Sequence, residues 1–186
     1  MSAILVLKMV SNETIASLLS FPIQERRDRY LPEDFVAEGE RTDIDVAWQA
    51  LHFLFTETLQ DGEPPASYLL AGGTIIGPSV LAPGGERVPS SREKARCGRG
   101  ASLAEVDRAL NSQEIDAFAR YLSAVTDEDL CRRFERLRSS MGEVYPGIWQ
   151  GDPEGNLAYL LENFQELKEF VNAARERGLG LLLHFA

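Results

Sequence analysis

The sequence predicts an α+β fold, a single compact domain over residues 1–186 in which a small mixed or antiparallel sheet packs against about five helices. Three observations carry that expectation. Residues 3–10 and 179–185 are apolar runs that read as buried strands at opposite ends of the chain. Several stretches between them repeat apolar residues at helical spacing. With 186 residues, 44% hydrophobic and 26% charged, the chain is long and apolar enough to bury one continuous core without cross-links.

After the first strand, Ser11, Asn12 and Glu13 supply cap residues for a short helix to about Leu19, which Phe21 and Pro22 end. Residues 24–42 read as charged and irregular, with Arg26, Arg27, Asp28 and Arg29 in a solvated helical turn or loop. From Thr42 the residues Ile44, Ala47, Trp48, Leu51, Leu54, Phe55 and Leu59 recur at helical spacing, with Thr42 as cap and Asp43 and Asp45 complementing the first-turn dipole. A core helix is expected there. Gly62, Glu63, Pro64 and Pro65 break the chain, after which residues 67–71 and 74–76 read as the two strands of a hairpin around Gly72 and Gly73. The glycine pair lacks the Gly-Lys-Ser/Thr ending of a phosphate loop. Residues 78–100 are rich in Gly, Pro, Ser and Arg, a composition that fits a lid, a binding loop or disorder. Within them Arg87, Arg92, Lys94, Arg96 and Arg99 outnumber Glu86 and Glu93, so an acidic partner or anion would be welcome there; the plainer reading is a solvated loop.

The second half reads as mainly helical. Residues 103–110 form a strand or short extended segment leading to Asn111 and Glu114, spaced as a capping box for a helix to about Ala124. Thr126, Asp127, Glu128 and Asp129 start another helix, with Leu130, Phe134, Leu137 and Met141 inward. Tyr145, Pro146, Gly147, Ile148 and Trp149 make a turn. Asp152 and Pro153 then begin the longest helix, striped by Leu157, Leu160, Leu161, Phe164, Leu167, Val171 and Ala174 and closed by Gly178. No internal repeat is present.

A net charge of −10 and a pI near 4.7 argue against nucleic acid as partner, because phosphates would be repelled. The first residues lack the basic leader of a secretory signal and no apolar stretch approaches a membrane span, so a cytoplasmic location without membrane contact is expected. Cys97 and Cys131 are then free thiols; arginines flank Cys97 without a base partner. No metal is expected, because His52 and His184 lack helical pairing and the cysteines lack ligand spacing, and no cofactor motif is present.

What remains are two windows of polar and aromatic residues, Asp43, Asp45, Trp48 and His52 in one and Glu143, Tyr145 and Trp149 in the other; these seven are the candidate binding residues. Asp45 and His52, seven apart on a helix, stand roughly 10 Å apart along its axis and form no dyad by themselves. His52 would need a partner from elsewhere, with Glu143 and Tyr145 the best by residue type; the plainer reading is packing against Trp48, Leu51 and Phe55.

Asp43-Ile44-Asp45 with Ala47-Trp48 and His52-Phe53-Leu54, then Leu70-Ala71-Gly72-Gly73 with Ile76-Gly77, and Glu143 with Tyr145-Pro146 and Trp149, together with the long last helix before an apolar strand, resemble the YfbM-like family of uncharacterised bacterial proteins. The resemblance spans most of residues 3–186 and implies a compact α+β domain with no established activity. The chain departs from it at residues 78–100, which are longer and more basic than the family pattern. Two functions are expected in competition, beside the plain alternative of a structural subunit with neither. One is a noncatalytic interaction or ligand-binding domain, inhibitor-like or immunity-type, whose acidic surface meets a basic protein or a small-molecule ligand. The other is a small-molecule hydrolase or other enzyme using His52 with Glu143 or Tyr145.

Overall fold

A computed structural model describes residues 3–30, 41–78 and 106–186. Its elements run β1 (Leu5–Val10), α1 (Asn12–Ser20), α2 (Ile23–Tyr30), β2 (Arg41–Asp43), a 3-10 turn (Asp45–Ala47), α3 (Trp48–Thr56), β3 (Thr74–Pro78), β4 (Val106–Leu110), α4 (Ser112–Ala124), α5 (Asp127–Leu137), a second 3-10 segment (Arg138–Glu143), α6 (Pro153–Glu176) and β5 (Gly180–Phe185). Among the described residues this is one α+β domain of five strands and six helices. Cys97 and the basic stretch of 79–100 lie outside the described residues.

The strands form a single sheet in the order β2-β1-β5-β4-β3, and every neighbouring pair is antiparallel. Strand β5 is central, paired with β1 from Leu5↔Phe185 to Val10↔Gly180 and with β4 from Arg108↔Leu183 to Leu110↔Leu181. Alternation sends Leu5, Leu7, Met9, Leu181, Leu183 and Phe185 into the main core with α3, α4 and α6. The opposite face sends Val10, Ile76, Ala109 and Leu182 into a smaller core with Ile15 and Leu18 of α1 and Tyr30 of α2. Because both faces are covered, all six positions of β1 and of β5 are buried, and apart from Lys8 and His184 the two runs are apolar.

Helix ends follow local chemistry. Reciprocal side-chain bonds close capping boxes at Asn111 with Glu114 and at Thr126 with Asp129, and the Asp152 carboxylate accepts from Gly155 N. At the end of α6, Gly178 takes φ +66°, and the Gly178 and Leu179 amides donate to the Arg175 and Ala174 carbonyls in a Schellman closure. No helix of the described residues is long and apolar enough to cross a membrane.

Three local expectations are corrected. Residues 67–71 are a turn rather than a hairpin strand, and β3 pairs instead with β4. The buried Tyr68, Leu69 and Leu70 supply the apolar character that suggested a strand, while the carbonyls of Tyr68 and Leu69 accept from the Arg108 guanidinium. Thr42 does not cap a helix: it pairs with Leu7 in β2, Asp45 takes φ +42°, and regular helix begins only at Trp48. Residues 24–30, read as charged and irregular with a solvated helical turn or loop at 26–29, belong to the regular helix α2, and Arg26 ties it down by donating to the carbonyls of Leu19, Phe21 and Ile76.

Gly73 sits where β3 meets β4, with φ +71°; a Cβ there would lie 2.5 Å from the Ala109 carbonyl oxygen and 2.7 Å from Leu110 Cδ2. Gly147 has φ +84° but nothing within 4 Å of the same position. Gly73→Ala is expected to lose about 2–4 kcal/mol, from the left-handed backbone plus the backbone clash, and Gly147→Ala only about 1–2 kcal/mol. Denaturant midpoints of the two variants measure the difference; equal losses would remove the clash from the account.

Candidate functional site

Five of the seven residues singled out in the sequence belong to one continuous network on the flank of α6. Its first part is the Asp43–Asp45 corner, where the Asp45 amide donates to Asp43 Oδ1 at 3.2 Å and so helps hold the left-handed residue. Asp45 Oδ2 accepts from the Tyr159 hydroxyl at 2.8 Å. Burial, and then the hydrogen bond and charge of Asp45, push the Tyr159 phenol well above its ordinary range, so it remains the donor. Tyr159 stacks on Trp149, with ring centroids 6.2 Å apart, and Trp149 Nε1 donates to the Tyr145 carbonyl at 2.9 Å.

The network then crosses to α3 and the first strand. Tyr145 stacks on Trp48 at 5.6 Å, and its own amide donates to Gln49 Oε1 at 2.7 Å. The Tyr145 hydroxyl accepts from Ala3 N at 2.7 Å while Trp48 Nε1 donates to the Ala3 carbonyl at 3.0 Å, so the two rings clamp one residue's backbone. Phe185 meets the Trp48 ring edge-on at 4.9 Å. Tyr159 and Gln49, which close this network, were not among the residues picked from the sequence. A Tyr nearly two turns into an amphipathic helix carries no distinguishing signal.

Geometry on α6 sets the outer surface. Asn156 donates to the Ile148 carbonyl at 3.0 Å, Tyr159 to Asp45, and Glu166 accepts from the Thr42 hydroxyl. Positions 156, 159 and 166 fall on one stripe of the helix, about 15 Å long. Ile148, Asp45 and Thr42 are therefore laid out in line. Ile148 is 49% exposed, and Asp43, Asp45, Glu162, Glu166 and Glu169 are all exposed.

The other two residues lie elsewhere. Glu143 ends the second 3-10 segment on the exposed surface. His52 is fully buried, and its Nε2 meets the Asp61 carbonyl at 3.0 Å. Burial, opposed by that bond and reinforced by the Arg108 charge, lowers the imidazole from 6.5 to about 4, so it is neutral at physiological pH. The Tyr145 hydroxyl is bonded to Ala3, and among the described contacts none joins His52 to Tyr145 or Glu143.

A second polar group, absent from the sequence expectations, lies on the opposite sheet face under α2. Lys8 Nζ donates to the Tyr30 carbonyl at 2.9 Å, the Tyr30 hydroxyl donates to Asp107 Oδ2 at 2.6 Å, and Asp107 Oδ1 accepts from the Phe185 amide at 3.3 Å. The His184 ring lies 6.2 Å from that of Tyr30. Lys8, Asp107 and His184 stand on β1, β4 and β5, all nearly inaccessible. The available signal was an ionisable residue inside each of three buried strands, Lys8 in β1, Asp107 beside Arg108 in β4 and His184 in β5. The bonds of Lys8, Tyr30 and Asp107 join α2 to the sheet.

The model of a family described as "Domain of unknown function (DUF1877)" matches residues 1–96 and 99–184. The structure is similar to the crystal structure of YfbM from Escherichia coli, itself described as a protein of unknown function, with a TM-score of 0.61 and 21% identity over 98% of this chain and 99% of that chain. That likeness speaks for the fold. No curated protein matches the chain.

The depressed basicity of His52 gives a signed pH dependence. Between pH 6.5 and about 4 the unfolded chain binds a proton that the folded imidazole refuses, so this contribution is complete above 6.5 and is lost as pH falls toward 4. The shift corresponds to about 3 kcal/mol. Urea denaturation from pH 7 to pH 4 is expected to show that loss, and His52→Gln, which keeps a donor for Asp61, is expected to flatten it. A slope unchanged by the substitution would assign the pH dependence to other groups.

Proposed function

We propose, for a chain that belongs to the family of the domain of unknown function DUF1877, that it is a noncatalytic cytoplasmic interaction domain whose acidic flank along α6 receives a basic protein partner. The observation that supports this reading is that α6 fastens the backbone of exposed Ile148 through Asn156, exposed Asp45 through Tyr159 and the Thr42 hydroxyl through exposed Glu166, with Asp43, Glu162 and Glu169 exposed nearby in the chain. An exposed isoleucine next to ordered carboxylates has the composition of an interface: an apolar anchor that gains by losing water, within a charged rim that sets orientation and association rate. Arg41 and Lys168 belong to the same region, Lys168 folded over the Phe164 ring at 5.5 Å, and the five carboxylates still outnumber them.

The aromatic network beneath supplies rigidity. Asp45 is oriented by Tyr159, and Tyr159 is backed by Trp149, so an approaching cation meets a carboxylate that is already positioned. An inhibitor-like or immunity-type role fits such a surface, since these proteins act by covering a basic site on another protein.

The test is affinity capture from lysate of the native source, with wild-type protein and with the triple variant Asp43→Lys, Glu166→Lys, Ile148→Asp, whose changes all fall on exposed positions. Wild type is expected to retain a discrete basic protein at low salt and release it near 1 M, where the Debye length shrinks to about 3 Å. The variant is expected to retain none while keeping the wild-type melting temperature to within a few degrees. A clean capture at low salt, or equal retention by the variant, sinks the proposal.

A further inference from the structure

Among the described residues, three buried polar atoms without a hydrogen-bond partner lie against the segment of residues 61–72: His52 Nδ1, Ser67 Oγ and Arg108 Nε. Each side chain is anchored to that segment or belongs to it. His52 Nε2 meets the Asp61 carbonyl at 3.0 Å. Arg108 donates from one terminal nitrogen to the Tyr68 and Gly72 carbonyls at 3.3 and 3.2 Å, and from the other to Leu69 at 2.6 Å. Ser67 is completely buried; a Cβ built at Gly62 would fall 3.2 Å from Ser67 Cβ and 2.7 Å from Thr56 Cγ2, and Thr56 in turn donates to the His52 carbonyl. The serine side chain is thus set between the end of α3 and the Asp61 corner.

Leaving three such atoms unsatisfied in a sealed interior is costly, because each has given up water for nothing. Their chemistry identifies what would satisfy them. A carbonyl faces His52 Nε2, so that nitrogen carries the hydrogen and Nδ1 presents a lone pair. Arg108 Nε–H is a donor on a group that stays charged, its basicity lowered only to about 10 by burial against the opposing pull of Asp107 and Glu114. The Ser67 hydroxyl works in either sense. The complement is a small neutral molecule that donates to nitrogen and accepts from guanidinium. A fully ionised anion has no hydrogen for the histidine, and a cation would meet the arginine's charge.

We propose that the underside of residues 61–72 is an internal hydration site, in which one ordered water donates to His52 Nδ1, accepts from Arg108 Nε and shares a hydrogen bond with Ser67 Oγ. Three bonds are the usual complement of a buried water. Bound this way, the water ties α3, β4 and the turn that replaces the expected hairpin strand into one unit.

A crystal structure of the full chain at a resolution that orders waters tests this directly. One peak within hydrogen-bonding distance of His52 Nδ1 and of both other atoms is expected. No peak, a peak out of reach of His52 Nδ1, density for a larger molecule, or side chains turned onto protein partners each overturns the proposal. In solution, two-bond 1H–15N correlation at pH 7 is expected to find hydrogen on His52 Nε2; hydrogen on Nδ1 would overturn it. Ser67→Ala removes one of the three partners without adding bulk, and is expected to weaken the peak while leaving the tautomer unchanged. A peak of undiminished height would remove Ser67 from the site and overturn the three-partner arrangement.

Discussion

The structure depends on one constraint: β5, the last strand in the chain, is the middle strand of the sheet and is buried on both faces. A strand in that position needs two hydrogen-bonded neighbours and two covering layers, and β1, β4, the long helices and the α1–α2 pair are placed by those needs. The layers are unequal. The main core takes large aromatics and the bulk of α6, whereas the second face is closed by two short helices over a few aliphatic side chains. Where that thin layer cannot fill the space with hydrocarbon, Lys8, Tyr30 and Asp107 fill it with bonded polar groups. Burying such groups is tolerable because each is bonded, Lys8 to the Tyr30 carbonyl and the Tyr30 hydroxyl to Asp107.

The same economy of placement governs α6. Its inner stripe is core, and an adjoining stripe fastens three separate pieces of chain at Asn156, Tyr159 and Glu166. The exposed carboxylates near these fastenings stand on a rigid base, unlike acids on a mobile loop, whose attraction for a partner is offset by the entropy of ordering them. Acidic composition by itself would give solubility and diffuse attraction. A fixed array with an apolar anchor can also choose among basic partners.

What was legible in the sequence divides along a physical line. Caps at Asn111, Thr126, Asp152 and Gly178 were readable because their partners lie within a few residues, and the terminal strands because burial on both faces leaves apolar runs interrupted only by Lys8 and His184. The α+β class followed from those. Misreadings occurred where a distant residue decides the local conformation. The run over residues 67–71 has a strand's composition, but Arg108, about forty positions away, accepts no strand there because its guanidinium needs the carbonyls of a turn. Thr42 and Asp43 have a helix start's composition, but Leu7 and Val6 draw them into the sheet.

The candidate site was legible to the same degree and for the same reason. Trp48, Tyr145 and Trp149 could be grouped because side chains with both an apolar body and a polar tip are expensive to bury without a partner, whereas the exposed Asp43 and Asp45 entered the group only as chain neighbours of Trp48. Tyr159, the residue that joins them, could not be distinguished from any other half-buried tyrosine on an amphipathic helix. His52 shares the first window and turns out to serve a different region: the turn at Trp48 faces Ala3 and Tyr145, while the next turn faces Asp61. One helical turn is enough to separate a residue that orders the surface from one that orders the interior, and only the partners on the far side of each ring say which is which.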